Sequence, residues 1–69
     1  MRVKFSDYVG QTVTARYTIE RNIDGADVPV IREGEVTVGM DGNGILLFDE
    51  DGDFVYPCDD TFELLTPKP

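Results

Sequence analysis

Carboxylates are the side chains of this sequence whose spacing could do chemistry. Asp49, Asp51 and Asp53 alternate with other residues, and Asp60 stands twelfth when Asp49 is counted as the first position. Calcium loops place oxygen ligands at positions 1, 3, 5 and 12, so this spacing raises a calcium site as a hypothesis. A calcium loop also needs a glycine at position 6 for its sharp bend, and this sequence has Phe54 there. We therefore expect a solvated acidic turn and no defined metal site.

Acid–base and nucleophilic chemistry both lack the partners that they need. Asp59 and Asp60 are carboxylates, but glycosidase chemistry needs two carboxyls several ångströms apart, and adjacent side chains usually diverge. The sequence contains no histidine, so the usual base near neutral pH is missing, as is the commonest zinc ligand. Cys58 has no activating base, and the aspartates near it should raise its pKa and suppress the thiolate. We expect Cys58 to be a buried or half-buried structural thiol, and we expect no enzyme activity and no cofactor.

Length and composition indicate one small domain. The chain has 69 residues, of which 41% are apolar and 29% are charged, as in globular chains. This length is close to the lower limit at which a hydrophobic core alone can stabilise a fold. We expect a single domain over residues 1–66 and a tail over residues 67–69.

Three features predict the compartment. No apolar run approaches the roughly 18 residues of a membrane span, and the N-terminal residues lack the apolar segment of a secretory signal. The single cysteine cannot form an internal disulfide, which favours a reducing compartment. We expect a cytoplasmic protein that does not contact a membrane.

The net charge of −8 is distributed unevenly along the chain. Residues 1–32 carry five basic and four acidic side chains (+1), whereas residues 33–69 carry one basic and ten acidic side chains (−9). Such a chain repels phosphate groups, so direct binding to nucleic acid or to an anionic membrane is disfavoured.

The pattern of apolar residues predicts an antiparallel sheet. Residues 11–20 alternate strictly between apolar and polar side chains, which is typical of a half-buried strand. A second strand is expected over residues 30–40, followed by strands over residues 45–48, 53–56 and 62–66. Asp-Gly and Asn-Gly steps at residues 41–44 and 51–52 favour tight hairpin turns between them. The last strand is expected to pair with the first.

The connections are predicted from turn residues. Residues 22–29 contain a glycine, aspartates and a proline, and predict a long irregular loop. Gly34 is expected to mark a bulge or bend in the second strand. Ser6 is expected to cap a short helical turn near residues 6–9, and residues 59–61 are expected to form another turn, of 3₁₀ type.

Five short strands with a long first loop, tight later hairpins and a helical turn describe an all-β fold, either a small barrel or a strongly curled antiparallel sheet. The positions that carry a family resemblance are Gly10, Val13, Gly34, Val36, Asp41, Asn43 and Leu47. At these positions the sequence resembles the SH3-like barrels, and in particular their Sm-like variant. The resemblance implies a five-stranded barrel. It does not imply RNA binding, because the basic residues with which Sm-like proteins hold RNA are absent.

We interpret the protein as a non-enzymatic interaction module that binds a basic protein surface through an acidic edge. Seven carboxylates within residues 41–60, a stretch without lysine or arginine, are the predicted contact residues. They are Asp41, Asp49, Glu50, Asp51, Asp53, Asp59 and Asp60.

Other interpretations of the same sequence remain open. The carboxylates could imitate a row of phosphates and inhibit a host defence or DNA-processing protein, as small phage-encoded inhibitors do. The apolar residues 45–48 could instead support an ordinary protein-binding module or a structural homo-oligomer of Sm-like type, with weak self-association through open strand edges. The acidic surface could also serve only for general solvation.

Overall fold

The computed structural model describes residues 2–65, and these form one antiparallel sheet with a single 3₁₀ turn at Phe5–Tyr8. The strands are β1 (Arg2–Lys4), β2 (Thr12–Ile23), β3 (Ala26–Asp41), β4 (Gly44–Phe48), β5 (Phe54–Val55) and β6 (Thr61–Leu64). Their order across the sheet is β1-β6-β2-β3-β4-β5. The predicted all-β class is confirmed. The last predicted residue of β6, Thr66, and the tail at residues 67–69 lie outside the described part of the chain.

The longest feature of the fold is the hairpin of β2 and β3. The prediction of a long irregular loop at residues 22–29 is wrong, because most of these residues belong to the two strands. The two strands stay in register from Thr12 opposite Thr37 to Ile23 opposite Ala26. Asp24 and Gly25 alone form the turn, with φ of 54° and 84°. Positive φ at both central residues is the condition for the turn that best matches the twist of a two-residue hairpin. Residues 20–29 are all exposed and form a projecting ribbon.

Pro29 lies inside β3, although proline usually interrupts a strand. The backbone oxygen of Thr18 accepts a hydrogen bond of 2.9 Å from Cys58, so Thr18 directs its backbone groups away from β3. Glu20 has the same orientation because backbone direction alternates along an antiparallel ladder. Its partner Pro29 therefore turns its nitrogen away from β2, and no ladder hydrogen bond is lost.

Gly34 continues the β2–β3 register opposite Ala15, so the predicted bulge is absent. Its φ of 151° is a value that glycine adopts more easily than other residues do. The hairpin of β3 and β4 is tight, as predicted, with Asp41 opposite Gly44 and two residues between them.

The N-terminal residues Arg2–Lys4 form an edge strand, β1. β1 pairs with β6, with Val3 opposite Phe62. The 3₁₀ turn begins one residue earlier than predicted, and no side chain caps it. The hydroxyl of Ser6, the predicted cap, instead donates to Asp60 at 3.1 Å.

The 3₁₀ turn predicted at residues 59–61 is absent. The carboxylate of Asp59 accepts the backbone N–H of Thr61 at 2.8 Å, and Thr61 is already the first residue of β6. An aspartate that bonds its own backbone two residues on makes a local turn without a helix.

The core lies on one face of the sheet. Phe5 stacks on Phe62 with ring centroids 4.3 Å apart, and both side chains are fully buried. Alternation along β2 and β3 supplies most of the remaining core, as the sequence pattern indicated, and β4 adds Leu47. The buried residues packed together are Phe5, Ala15, Tyr17, Ile19, Val36, Val38, Leu47 and Phe62.

The sheet is not closed into a barrel, and it has six strands where five were predicted. β5 has only two residues, and the chain beyond it meets β2 at a single bridge between Ile19 and Pro57. The predicted pairing of the last strand with β2 is present, with Ala15 opposite Leu64. Within residues 2–65, no helix has the length and apolar character needed to cross a membrane.

Candidate functional site

The loop at residues 49–53 carries the densest group of predicted contact residues. Hydrogen bonds to Asp49 fix the shape of this loop. The Asp49 carboxylate accepts the backbone N–H groups of Asp51 at 2.9 Å and Asp53 at 3.1 Å. The backbone oxygen of Asp49 also accepts the N–H of Gly52 at 3.1 Å. The tight turn predicted at Asp51 and Gly52 is therefore a longer loop built around one aspartate.

Asp49 faces inward. Its side chain is 15% exposed, and one oxygen lies 3.9 Å from the guanidinium of Arg32. Glu50, Asp51 and Asp53 are exposed. No lysine or arginine among residues 2–65 forms an ion pair with these three. The loop thus has one structural carboxylate and three that face solvent.

Strand β3 adds two carboxylates that sequence reasoning did not assign to the contact surface. Glu33 and Glu35 line the same shallow hollow as Glu50 and Asp51. Glu33 is engaged by Arg16 at 2.8 Å, which leaves Glu35 beside the loop. The alternation of β3 could have revealed them, because residues 33 and 35 point away from the buried Val36. We define the acidic loop surface as Glu35, Glu50, Asp51 and Asp53.

Asp41 lies at the turn of the β3–β4 hairpin, and its carboxylate accepts hydrogen bonds from two donors. It accepts the hydroxyl of Tyr56 at 2.7 Å and the backbone N–H of Asn43 at 2.8 Å. These hydrogen bonds, the one from Tyr56 above all, lower the pKa of Asp41 because they favour its charged form. The same bond raises the pKa of Tyr56.

Asp59 and Asp60 directly precede β6 and accept hydrogen bonds that fix the chain there. Both the backbone N–H and the hydroxyl of Thr61 donate to Asp59 at 2.8 Å, and they lower its pKa. Arg2 is 3.7 Å from the same carboxylate. Asp60 accepts the hydroxyl of Ser6.

The seven predicted contact residues fall into two groups. Asp41 precedes β4 and the loop at residues 49–53 follows it, so the two lie at opposite ends of that strand. At about 3.4 Å per residue, five residues of strand separate them by more than 10 Å. Asp59 and Asp60 line a hollow with Tyr56, the residue bonded to Asp41, and so belong to the first group.

Aromatic side chains occupy the outer face of the sheet between the two groups. Phe48 lies opposite Phe54 in the β4–β5 pair, on the face away from the core. Phe54 is 59% exposed and contacts Tyr56 edge to face, with ring centroids 6.1 Å apart and planes at 86°. Leu46 on the same face is only 8% exposed. We define the aromatic patch as Leu46, Phe48, Phe54 and Tyr56.

Gly39 lies beneath this patch, and a Cβ there would be in ordinary van der Waals contact with it. The ring of Phe48 lies over it, and Cε2 is 3.5 Å from the position that a Cβ on Gly39 would occupy. The sequence indicated an apolar outer face for residues 45–48, but it did not show that Phe54 and Tyr56 extend it across β5.

Cys58 is exposed, so the prediction of a buried or half-buried thiol is wrong. Its backbone N–H bonds to Thr18, which fixes the main chain while the side chain faces outward. Its pKa is raised, as predicted, first by desolvation and then by Glu20 and Asp59. Within residues 2–65, no group of three or more histidine, cysteine or acidic side chains is arranged to hold a metal ion.

Comparison with protein-family models, with curated proteins and with solved structures found no match to this chain.

Proposed function

We propose that the protein is a non-enzymatic interaction module that binds a basic protein surface. The observation that carries this proposal is the acidic loop surface, whose exposed carboxylates lie next to the exposed aromatic patch. Opposite charge attracts a basic partner and speeds its encounter, while burial of apolar side chains supplies most of the binding free energy. Interfaces commonly combine an apolar centre rich in aromatic residues with a polar rim.

The role of each loop residue differs in this proposal. Glu50, Asp51 and Asp53 act as rim charges, which change the association rate and its dependence on salt. Asp49 keeps the loop in the shape that presents them, and its carboxylate is directed toward Arg32 and the loop backbone. A test of the surface must therefore leave Asp49 unchanged.

We also propose that the six-stranded sheet is related in architecture to the SH3-like and Sm-like barrels. The bridge between Ile19 and Pro57 supports this, because it brings the chain beyond β5 to β2 from the side opposite β3. A solution structure with a continuous ladder between these two segments would agree with the proposal.

The experiment begins with capture of binding proteins from cells that express the chain natively, followed by kinetics with the purified partner. The test variant is Glu50→Gln, Asp51→Asn and Asp53→Asn combined. Its matched control is Asp7→Asn, Asp24→Asn and Asp27→Asn combined, which removes the same charge from exposed positions elsewhere.

We expect the test variant to associate about tenfold more slowly at low salt and to show a weaker salt dependence than the wild type. The association rate of the control variant should fall less, because its carboxylates lie outside the contact surface. Equal effects of the two variants would show that only net charge matters, and binding that neither variant changes would overturn the proposal.

A further inference from the structure

The aromatic patch contains a pair of rings held in a fixed arrangement at the surface. Tyr56 is oriented at its hydroxyl by Asp41 and at its ring by Phe54. Both rings are substantially exposed, 59% for Phe54 and 42% for Tyr56. A binding group that meets these rings would cost little conformational entropy, because their positions are set before contact.

Carboxylates outnumber cations around this pair, although Arg21 and Arg32 share a hollow with Phe54. Asp53 precedes Phe54, Asp41 bonds to Tyr56, and Asp59 and Asp60 share a hollow with Tyr56. The faces of aromatic rings are themselves negative, and a phenol that donates a hydrogen bond to a carboxylate keeps an electron-rich ring. The local field therefore favours a cation over a neutral apolar group, which would desolvate the carboxylates without compensating them.

We propose that the Phe54–Tyr56 pair is the docking site for an arginine side chain of the protein partner. The guanidinium stacks on the exposed ring of Tyr56, beside Phe54, and donates hydrogen bonds to the Asp41 carboxylate, which is exposed and has acceptor capacity beyond its two present bonds. This inference rests on the proposed function and names the anchor within that interface.

Arginine fits this site better than lysine. Its guanidinium is planar, stacks on aromatic faces and is less strongly hydrated than an ammonium, and it can bond a carboxylate while it stacks. A second copy of this chain fits poorly, because each copy has a net charge of −8 and would bring the same carboxylates to the contact.

The test uses short glycine–serine peptides that carry several arginines, lysines or citrullines at the same positions. Each peptide is titrated into isotopically labelled protein, and the ring signals of Phe54 and Tyr56 are followed by NMR. We expect saturable shifts with the arginine peptide, about two- to fivefold weaker affinity for the lysine peptide, and no saturation with citrulline, which is planar but neutral.

Two variants locate the site. Tyr56→Leu should abolish the preference for arginine over lysine, whereas Ile31→Leu, at an exposed apolar position on β3, should preserve it. Equal affinity for arginine and lysine, or shifts confined to the acidic loop surface, would overturn the inference.

The purified partner separates failure of this inference from failure of the proposed function. If the acidic loop variant binds more slowly but Tyr56→Leu binds as the wild type does, the arginine site is wrong and the interaction module stands. If neither variant changes binding, both proposals are wrong.

Discussion

Asp49 and Arg32 face each other across 3.9 Å at the border between the core and the loop that follows β4. The pair lies beside Tyr17, whose pKa is raised by burial first and is then lowered by Arg32 and raised by Asp49. The loop and the longest hairpin thus meet at one partly buried pair of charges.

Removal of the Asp49 carboxylate should destabilise the fold. Asp49→Ala leaves two loop N–H groups without their acceptor and Arg32 without its neighbour, and we expect a loss of about 1–3 kcal/mol in the free energy of unfolding. Asp51→Ala, two residues away and exposed, should change it by less than about 0.5 kcal/mol. Urea denaturation followed by circular dichroism measures both. Equal stability of the two variants would contradict the structural role of Asp49.

The turn between β2 and β3 should depend on Gly25. Its φ of 84° lies in the left-handed region, so Gly25→Ala should cost about 1–2 kcal/mol although the space around it is open. Gly42→Ala is the matched control, because Gly42 also has open space and does not have a left-handed φ. Thermal unfolding of the two variants compares them directly, and a Gly25→Ala melting temperature equal to that of Gly42→Ala would disprove the requirement for glycine at this turn.

Loss of the Phe5 ring should unfold much of the population. Phe5→Ala removes a fully buried ring that stacks on Phe62, which costs about 3–5 kcal/mol. A chain of this size has roughly 3–10 kcal/mol of total stability. Phe54→Ala, an exposed ring, should cost less than about 1 kcal/mol. Near-native stability of Phe5→Ala would mean that β1 and the 3₁₀ turn do not belong to the cooperative core.

Stability should fall at both ends of the pH scale. The pKa values of Asp41 and Asp59 are lowered in the fold, so their contribution is present above the ordinary value of 3.8 and is lost as pH falls through the lowered values. The pKa values of Tyr17 and Tyr56 are raised, so their contribution is complete below 10.0 and is lost as pH rises through the raised values.

Melting temperatures recorded across pH measure these changes. Tyr56→Phe removes the main donor to Asp41, and its melting temperature should fall less steeply below pH 3.8 than that of the wild type. An identical acid profile for the two proteins would show that the Tyr56–Asp41 bond does not contribute.

The strands could be predicted because apolar residues alternate over β2 and the second half of β3, because residues 45–48 are continuously apolar, and because glycines mark the turns. The extent of β2 and β3 could not, since the sequence from Asn22 to Pro29 has the composition of a loop. Asp24-Gly25 is the same Asp-Gly signal that predicted the other hairpins, and here too it forms a two-residue turn. The direction of the Pro29 nitrogen, away from its partner strand, does not follow from composition.

The candidate surface was predictable only in part. Counting charges found Glu50, Asp51 and Asp53, which are exposed, but it treated Asp49 in the same way. The inward direction of Asp49 depends on hydrogen bonds within its own loop, and the aromatic patch depends on the pairing of Phe48 with Phe54. Both require the register of β4 and β5.

β6 is synthesised after every other strand of the described sheet, yet it lies between β1 and β2. Until residues 61–64 are available, β1 has no strand to pair with and Phe5 has no Phe62 to stack on. We therefore expect nascent chains that end before residue 61 to lack a stable core, so that folding is completed only after β6 has left the exit tunnel.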